Sequence, residues 1–261
     1  MTDALSRVLV VVPTYNEREN LPGALDRLRT YVPDADVLVV DDGSPDGTGE
    51  LAEKIAESES TESGGADGSR RIHVLHRAGK LGLGTAYVAG FGWALERGYD
   101  VVVEMDADGS HRAQDLPLLL AALTNADLVL GSRWVPGGSV LNWPVSRHVL
   151  SRGANTYTRI ILGIPLRDAT GGFRAYRAEL LGQLGLDDVA SQGYCFQVDM
   201  AWRAVRTGAR VVEVPITFVE RELGQSKMSR AIVVEALFSV TRWGIAERSR
   251  RVAGAFRRSG G

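Results

Sequence analysis

Two aspartates separated by a single residue, Asp106 and Asp108, follow the apolar run at residues 101–105. A short block of β-branched residues predicts a buried strand. In an extended chain, residues i and i+2 project to the same side, so the two carboxylates can converge on one point. They repel each other unless a cation lies between them, and oxygen ligands suit Mg²⁺ or Mn²⁺ better than zinc. The pair is therefore a candidate metal site, with the Ser110 hydroxyl as a third ligand.

Asp-x-Asp is a short pattern, and a solvated acidic turn is the more common explanation when it stands alone. Two other polar clusters follow predicted strands in this chain. Residues 15–17 (Tyr-Asn-Glu) come after the apolar run 8–12, and Asp41 and Asp42 come after the run 37–40. Ligands of open α/β sheets bind at the carboxyl ends of the strands. Three polar clusters at equivalent strand ends therefore predict one site.

The elements that must position these clusters alternate along the chain, which predicts an α/β fold with a mostly parallel sheet and helices on both faces. Strands are predicted at residues 8–12, 37–40, 72–75, 101–105, 127–131 and 210–216, with another strand after the turn at 168–174. Helices are predicted at 21–32 (capped by Asn16), from Asp46 or Thr48 through 55, and at 84–97, 116–123, 147–162 and 194–206. Residues 58–69 are expected to form a flexible surface loop, and residues 134–144 a mobile loop.

Composition sets broad limits on function. The chain has 261 residues, of which 44% are hydrophobic and 24% charged, with a formal net charge of -2. These values are typical of a globular protein and give no general attraction to nucleic acid. Cys195 is the single cysteine, so no internal disulfide is expected. The first residues lack a signal-peptide pattern, and no run of 18 apolar residues occurs, so we expect a soluble intracellular protein.

Four motifs resemble those of the family 2 inverting glycosyltransferases of the GT-A fold, and within them the polyprenyl-phosphate (dolichol-phosphate) mannose synthases. They are Val-Pro-Thr-Tyr-Asn-Glu at 12–17, Val-Asp-Asp-Gly-Ser-Pro-Asp-Gly-Thr at 40–48, Met-Asp-Ala-Asp at 105–108 and Gly-Gly-Phe-Arg at 171–174. The second motif is much more specific than Asp-x-Asp. The resemblance covers roughly residues 7–230.

The resemblance implies transfer of mannose from GDP-mannose to a polyprenyl monophosphate, with inversion of the anomeric carbon and with Mg²⁺ or Mn²⁺ as cofactor. It implies that the nucleotide sugar is bound by Pro13, Tyr15, Glu17, Val40, Asp41, Asp42, Asp106, Ala107, Asp108, Arg133, Arg221 and Lys227. Of these, the residues expected to carry catalysis are Asp106, Asp108, Arg133, Arg221 and Lys227. The metal ligands would be Asp106, Asp108 and Ser110, and the acceptor phosphate would be bound by Arg133 and Arg147.

A phosphate monoester has a second pKa of about 6, so the acceptor is already a nucleophilic anion near neutral pH. Positioning and electrostatics could then suffice without a general base. Asp199 stands where other family members place a base, and we expect it to be structural or to orient the acceptor. The four histidines show no metal-ligand spacing and are expected to be structural. Two alternatives remain: the same fold using UDP-glucose or another nucleotide sugar with a lipid-phosphate or sugar acceptor, and a non-catalytic nucleotide-sugar-binding scaffold.

The sequence suggests two parts, a GT-A glycosyltransferase domain at 1–230 and an interfacial helix with a basic tail at 231–261. The apolar positions at 231–246 form a broad face, followed by Arg248, Arg250, Arg251, Arg257 and Arg258. Such a helix suits an anionic membrane surface, although a helix packed on the domain explains the same pattern. We expect a cytoplasmic protein, peripheral at the cytoplasmic face of the membrane, with a membrane-protein partner and no nucleic acid.

Overall fold

A computed structural model describes residues 7–62, 71–189, 194–221 and 236–249. It contains a seven-stranded sheet of order β3-β2-β1-β4-β7-β5-β8 and a two-stranded sheet that pairs β6 with β9. The strands are Val8–Thr14 (β1), Asp36–Asp41 (β2), Ile72–His76 (β3), Val101–Glu104 (β4), Leu128–Ser132 (β5), Ser139–Leu141 (β6), Arg174–Arg177 (β7), Val211–Pro215 (β8) and Thr217–Val219 (β9).

Helices cover both faces of the large sheet, as the alternating pattern predicted. They are Leu21–Tyr31 (α1), Thr48–Glu62 (α2), Leu83–Glu96 (α3), Leu116–Ala122 (α4), Val145–Leu162 (α5), Ala178–Gln183 (α6) and Tyr194–Arg206 (α7). A further helix spans 236–249 and is called the C-terminal helix below. The predicted α/β class and the mostly parallel sheet are confirmed.

The pairs β1–β2, β1–β4, β2–β3 and β5–β8 are parallel. The exception is β7, which lies antiparallel between β4 and β5. Alternation of strands and helices predicts parallel neighbours, and it gave no orientation for the strand that follows the turn at 168–174. The parallel arrangement brings the carboxyl ends of β1, β2 and β4 to one edge, where the three polar clusters lie.

The core has two layers, one on each face of the large sheet. Side chains alternate along each strand, so Val11 and Leu38 face α3 and α7, whereas Val10 and Val39 face α1 and α4. Both faces of the sheet are buried, which explains why the sequences of these strands are continuous apolar runs rather than alternating patterns.

Two local predictions are wrong. Residues 58–62 continue α2 rather than opening the surface loop expected at 58–69, and the Glu59 carboxylate pairs with Arg29 of α1 at this end of the helix. Residues 63–70 lie outside the described ranges. Asn16 does not cap α1. It has a φ of 58° in the turn after β1, a left-handed conformation that asparagine tolerates. Helix α1 begins five residues later at Leu21, with Pro22 in its first turn.

The mobile loop predicted at 134–144 is instead ordered around β6, which pairs in parallel with β9. Trp134 and Trp143 meet edge to face, with ring centroids 6.5 Å apart, and both rings also contact His148 of α5. The prolines and glycines indicated an irregular segment correctly. They did not reveal that the tryptophans pack it against the fold.

The C-terminal helix packs against the domain through one face and leaves another exposed. Val240 is buried, Trp243 stacks on Trp202 of α7, and the Tyr157 and Thr241 hydroxyls form a hydrogen bond. On its other side, Phe238 is 70% exposed. The packing against the domain that the sequence left as an alternative is thus observed, and an interfacial position of the exposed face stays a prediction. No helix within the described ranges is both long and apolar enough to cross a bilayer. The domain boundary at 230/231 stays a prediction.

Candidate active site

Asp106 and Asp108 lie just beyond β4, the strand at the centre of the sheet. Tyr87 of α3 donates its hydroxyl to Asp106 Oδ1 at 3.0 Å. Burial raises the pKa of Asp106, and the charge of Asp108 adds to this effect. Burial alone would also raise the pKa of Asp108, but hydrogen bonds from Ser110 and the charge of Arg221 bring it below its usual value. The two carboxylates therefore interact closely.

Arg221, in the segment after β9, brings a positive charge to this acidic pair. The Nη2 atom of Arg221 lies 3.1 Å from Asp108 Oδ2. The predicted ligand Ser110 is buried and serves Asp108, because its backbone N–H donates to Asp108 Oδ1 at 3.0 Å and its hydroxyl also bonds that carboxylate. Lys227, the other cation predicted here, lies outside the described residues.

His111 holds the turn that carries the aspartates. Its Nδ1 accepts the backbone N–H of Asp106 at 3.1 Å, and its ring stacks on Phe173 with centroids 5.2 Å apart. The imidazole is 2% exposed. Spacing alone indicated only a structural histidine, and its contact with the turn of Asp106 shows what it supports. The signal available in the sequence was its position, three residues after Asp108.

The aspartates of the second motif are engaged by the protein itself. Asp41 accepts hydrogen bonds from the Thr14 hydroxyl at 3.0 Å and from the backbone N–H and hydroxyl of Ser44 at 2.9 and 2.6 Å. Asp46 accepts the backbone N–H of Thr48 at 3.0 Å and so caps α2. These bonds fold residues 41–48 into a fixed turn between β2 and α2.

Asp42 anchors a second loop, residues 77–82, which the sequence did not connect with the site. Its carboxylate accepts from Arg77 Nη1 at 2.6 Å and from the backbone N–H of Leu81 at 3.1 Å. The loop places Lys80 Nζ 4.5 Å from the centroid of the Tyr15 ring. Basic residues just after β3, at the same sheet edge as the other motifs, were the signal that could have revealed them.

The other predicted residues at this edge come from β1, β2 and the turn after β1. Val40 is buried in β2, and Pro13 is near the end of β1. Glu17 is 9% exposed; its backbone N–H bonds the Thr48 hydroxyl, and its carboxylate accepts from Asn20 at 2.7 Å. The described residues of the three strand-end clusters thus meet along one edge, as predicted.

Arg133 is fixed by a buried bidentate ion pair. Its Nε and Nη2 donate to the two oxygens of Asp168 at 2.7 and 2.6 Å, and Nη2 also reaches the Thr170 hydroxyl at 3.0 Å. Asp168 is fully buried; burial would raise its pKa, but the Arg133 guanidinium holds that pKa below its usual value. The pair sets the orientation of Arg133 beside Trp143, whose ring centroid lies 5.4 Å from the guanidinium carbon.

Arg147, on α5, donates to Glu220 and stacks on Trp143, with its guanidinium carbon 4.1 Å from the ring centroid. Arg133, Trp143 and Arg147 line one end of a mainly apolar groove. The groove continues between α5 and the C-terminal helix, where it is lined by Leu150, Ala154, Tyr157, Ala236, Leu237 and Val240. The site therefore joins a cationic end to an apolar channel.

Behind the acidic pair lies a buried polar network centred on Glu104, the last residue of β4. Glu104 accepts from the Tyr176 hydroxyl at 2.9 Å and from Gln197 Nε2 at 2.7 Å. Burial raises its pKa to about 7, although the nearby Arg174 opposes that rise. Asp199, on the same helix as Gln197, pairs with Arg203 at 2.9 Å, which fits its expected structural role.

Arg174 explains the Gly-Gly-Phe-Arg motif. Its guanidinium is fully buried and donates to the carbonyl oxygens of Ala169, Gly171 and Gln197 at 2.7–2.8 Å. Gly172 fits between His111 and Gln197, since a Cβ built there would lie 3.5 and 3.4 Å from their side chains. The motif thus supports the site through buried contacts behind it.

The chain matches the family model described as glycosyl transferase family 2 over residues 9–185. It is 59% identical over 242 residues to an undecaprenyl-phosphate mannosyltransferase of Micrococcus luteus, covering 93% of this chain and 96% of that protein. It is 55% identical over 252 residues to a polyprenol monophosphomannose synthase of Mycolicibacterium smegmatis, covering 96% and 92%.

Two solved structures share the fold at low sequence identity. Glucosyl-3-phosphoglycerate synthase from Mycobacterium tuberculosis, in complex with phosphoglyceric acid, superposes with a TM-score of 0.64 at 20% identity, over 92% of this chain and 81% of that one. A mannosyltransferase from Pyrobaculum calidifontis, in complex with GDP-Man and Mn²⁺, has a TM-score of 0.54 at 18% identity, over 99% and 80%.

Proposed function

The chain belongs to glycosyl transferase family 2 and is a glycosyltransferase, and on that premise we propose that it transfers mannose from GDP-mannose to a polyprenyl monophosphate, inverting the anomeric carbon. The observation that carries the proposal is the pairing of an acidic strand end with a cationic, apolar groove in one site. The names of the two relatives above 50% identity support the same mannosyl transfer to a lipid phosphate.

The residues present fit a divalent cation. Asp106 and Asp108 bring two carboxylates together, and the rise in the pKa of Asp106 reflects burial and their mutual repulsion. In the described ranges no group of three or more His, Cys, Asp or Glu side chains is placed to hold a metal. Mg²⁺ is commonly held by one or two carboxylates together with substrate phosphates, and here the donor diphosphate would complete the ligand set. We assign Asp106 and Asp108 as the ligands of Mg²⁺ or Mn²⁺. Such an ion supplies Lewis-acid stabilisation of the leaving diphosphate.

The nucleotide of the donor would bind along the edge formed by β1 and β2. Tyr15 and Lys80 offer an aromatic face and an ammonium to the base, and Glu17 a carboxylate. Asp41 and Asp42 hold the two loops that frame this pocket, which accounts for both acids without requiring them to lose their protein donors.

The acceptor phosphate would bind at Arg133 and Arg147, with its prenyl chain in the groove beside α5. Guanidinium groups suit phosphate oxygens, and the ion pair with Asp168 gives Arg133 a fixed orientation before the substrate arrives. The phosphate oxyanion attacks the anomeric carbon directly, so the residues supply positioning and charge rather than proton transfer. Arg221, together with Lys227, would stabilise charge on the leaving diphosphate.

The apolar faces of α5 and the C-terminal helix would rest on an anionic membrane surface. Val145, Val149, Phe238 and Ile245 are 79%, 67%, 70% and 60% exposed. Large exposed apolar groups on amphipathic helices with arginines nearby suit an interfacial location. This contact would place the groove where a lipid acceptor enters. The protein would then lie peripherally at the membrane face that holds the acceptor.

The proposal is tested by incubating the full chain with GDP-mannose, a water-soluble prenyl phosphate and either Mg²⁺ or Mn²⁺. Mass spectrometry should detect prenyl-phosphate mannose, and the one-bond anomeric carbon–proton coupling should show inverted configuration. UDP-glucose, UDP-mannose and GDP-glucose run in parallel separate the donors. Product from UDP-glucose alone would replace the donor assignment, whereas no product with any donor would favour a non-catalytic scaffold.

A further inference from the structure

Glu220 and Arg221 follow β9 directly. Each of them contacts a side chain that, under the proposed function, binds a charged substrate group or the metal. Arg221 Nη2 lies 3.1 Å from Asp108 Oδ2, on the proposed metal ligand. Glu220 accepts a hydrogen bond from Arg147, one of the two arginines proposed for the acceptor phosphate. The two contacts have opposite polarity. Arg221 brings a cation to a carboxylate, whereas Glu220 brings a carboxylate to a guanidinium.

We propose that Glu220 and Arg221 are internal substitutes for the two charged substrate groups. In the resting protein the Arg221 guanidinium takes the place of the divalent cation at Asp108, and the Glu220 carboxylate takes the place of the acceptor phosphate at Arg147. Substrates bind by exchange with these groups. This inference rests on the proposed function and adds to it the resting state of both charged subsites.

Backbone hydrogen bonds at Val219 and Glu220 position this segment. The Val219 N–H donates to the Ser110 carbonyl at 3.1 Å, and the Glu220 N–H donates to the Leu141 carbonyl at 3.2 Å. The first bond ties the segment to the turn of the aspartates, and the second ties it to β6. Glu220 and Arg221 are therefore held at the junction of the two subsites.

The resting contacts are suited to exchange. One oxygen of Glu220, Oε2, is buried with no hydrogen-bond partner among the described residues. An unsatisfied buried carboxylate oxygen costs free energy, which is recovered when the side chain returns to water. A divalent cation also brings twice the charge of a guanidinium to Asp108, and a phosphate dianion brings twice the charge of Glu220 to Arg147. Each substrate group thus outcompetes its substitute.

Exchange also frees one arginine at each subsite to bind a substrate group. Arg221, displaced from Asp108, remains close enough to meet the donor diphosphate that arrives with the metal. Arg147, released by Glu220, offers its guanidinium to the acceptor phosphate. The arginines that pair with these carboxylates then stabilise the reactants.

The first test measures metal binding without nucleotide. Mn²⁺ is titrated into the full-length protein, and the free ion is followed by electron paramagnetic resonance. Removing the competing cation with Arg221→Gln should tighten Mn²⁺ binding about two- to fivefold, the range expected for one partly exposed ion pair. The matched control is Arg206→Gln, which breaks the remote pair with Glu247 and should leave Mn²⁺ affinity unchanged.

Unchanged or weaker Mn²⁺ binding by Arg221→Gln would overturn the inference at the metal subsite. The same titration with GDP present separates this from failure of the proposed function. Suppose that the wild-type protein binds Mn²⁺ when GDP is present, but that Arg221→Gln does not tighten Mn²⁺ binding when GDP is absent. This result would contradict only the proposal that Arg221 takes the place of the cation. Wild-type protein that binds no Mn²⁺ in either condition would overturn both.

The second test uses geranyl phosphate, titrated calorimetrically without donor. Glu220→Gln keeps the shape of the side chain but removes its charge, so affinity should rise about two- to fivefold. Glu247→Gln is the control, since it neutralises a carboxylate in a remote pair. A lower melting temperature with unchanged affinity would identify Glu220 as merely structural and overturn the inference at the acceptor subsite.

Discussion

Asp108 is the residue at which the charges of the site meet. One of its oxygens accepts the Ser110 N–H and the other faces Arg221. Asp108→Asn keeps an oxygen for Ser110 but removes the negative charge, so the fold should persist while the transfer rate falls by roughly two to three orders of magnitude, or about 3–4 kcal/mol in barrier. Initial rates with saturating metal and thermal denaturation measure the two effects.

The exposed Asp26→Asn on α1 provides the control, because the Asp26 carboxylate pairs with Arg29 at the protein surface. It should retain both rate and stability. An Asp108→Asn protein with nearly wild-type turnover would remove this carboxylate from the proposed metal site.

Glu104 gives stability a pH dependence of its own. Its pKa is about 7 in the folded protein, against an ordinary value of 4.5. Between these values the folded state binds the proton and the unfolded state has lost it, so stability should fall as pH rises from 4.5 to 7 and then level off. The loss is about 3 kcal/mol by that relation.

Glu104→Gln removes the titration while keeping an amide able to pair with Gln197, whose Oε1 has no partner among the described residues. The free energy of unfolding, from urea titrations at pH 5, 6, 7 and 8, should therefore depend less on pH in the variant than in the wild type. Parallel pH profiles would show that Glu104 is not the titrating group.

Single residues also show where sequence reasoning stops. Carboxylates that follow apolar runs located Asp41, Asp42, Asp106 and Asp108 correctly at one edge. The pattern could not separate the acids that face the site from those that hold loops, because this depends on partners distant in the chain. Asp42 and Arg77 are 35 residues apart, and nothing in either local sequence announces their ion pair.

At the scale of elements, the contact between α5 and the C-terminal helix depends on Gly244. A Cβ built there would lie 2.5 Å from Ile161 Cγ2 and 2.7 Å from the Ile161 carbonyl oxygen. Gly244→Leu should force the helices apart, lower the melting temperature by several degrees (about 1–3 kcal/mol for overpacking) and widen the groove. Activity on a long-chain acceptor should fall more than GDP affinity.

Gly153→Ala, within α5, is a matched control because its added Cβ would meet no described atom within 4 Å apart from its chain neighbours and the backbone of its own helix. It should be neutral or slightly stabilising, since alanine favours helix more than glycine does. Equal melting temperatures for both variants would mean that the helix contact at Gly244 contributes little to stability.

Element prediction succeeded where one face of a helix is buried and where a strand is buried on both sides. The α1 stripe of Leu21, Leu25 and Leu28 is buried as its spacing indicated. Element prediction failed where contacts with distant parts of the chain decide whether a strand forms. β6 has only three residues and exists because β9 pairs with it, and β9 lies 78 residues further along the chain.

At the scale of the whole molecule, membrane contact should depend on two helices together. Val149→Asp with Phe238→Asp places charge on both exposed faces, at positions 67% and 70% exposed. Binding to anionic liposomes should weaken, because the apolar area lost per side chain is worth about 1.5–3 kcal/mol. Co-sedimentation at 0.05 and 0.5 M salt measures it, and the arginine contribution should fade at the higher salt.

GDP affinity and transfer to a water-soluble prenyl phosphate should be nearly unchanged in that double variant, since both substitutions are on exposed surface. Full retention on liposomes would show that these faces do not touch the bilayer. The sequence indicated the C-terminal helix as amphipathic but did not reveal α5 as its companion, because only the packed fold brings them side by side.

The antiparallel strand β7 has a consequence for how the chain is made. Among the described strands, β5 pairs only with β7 and β8 in the large sheet, and β4 has β7 as its second neighbour. A nascent chain that has not yet delivered residues 174–177 therefore carries β5 without a sheet partner and β4 with an open edge. Unpaired apolar edges invite intermolecular pairing. The first 170 residues, although they contain both acidic motifs, are for this reason a poor unit to express alone, and a split version of the enzyme is better divided beyond β7.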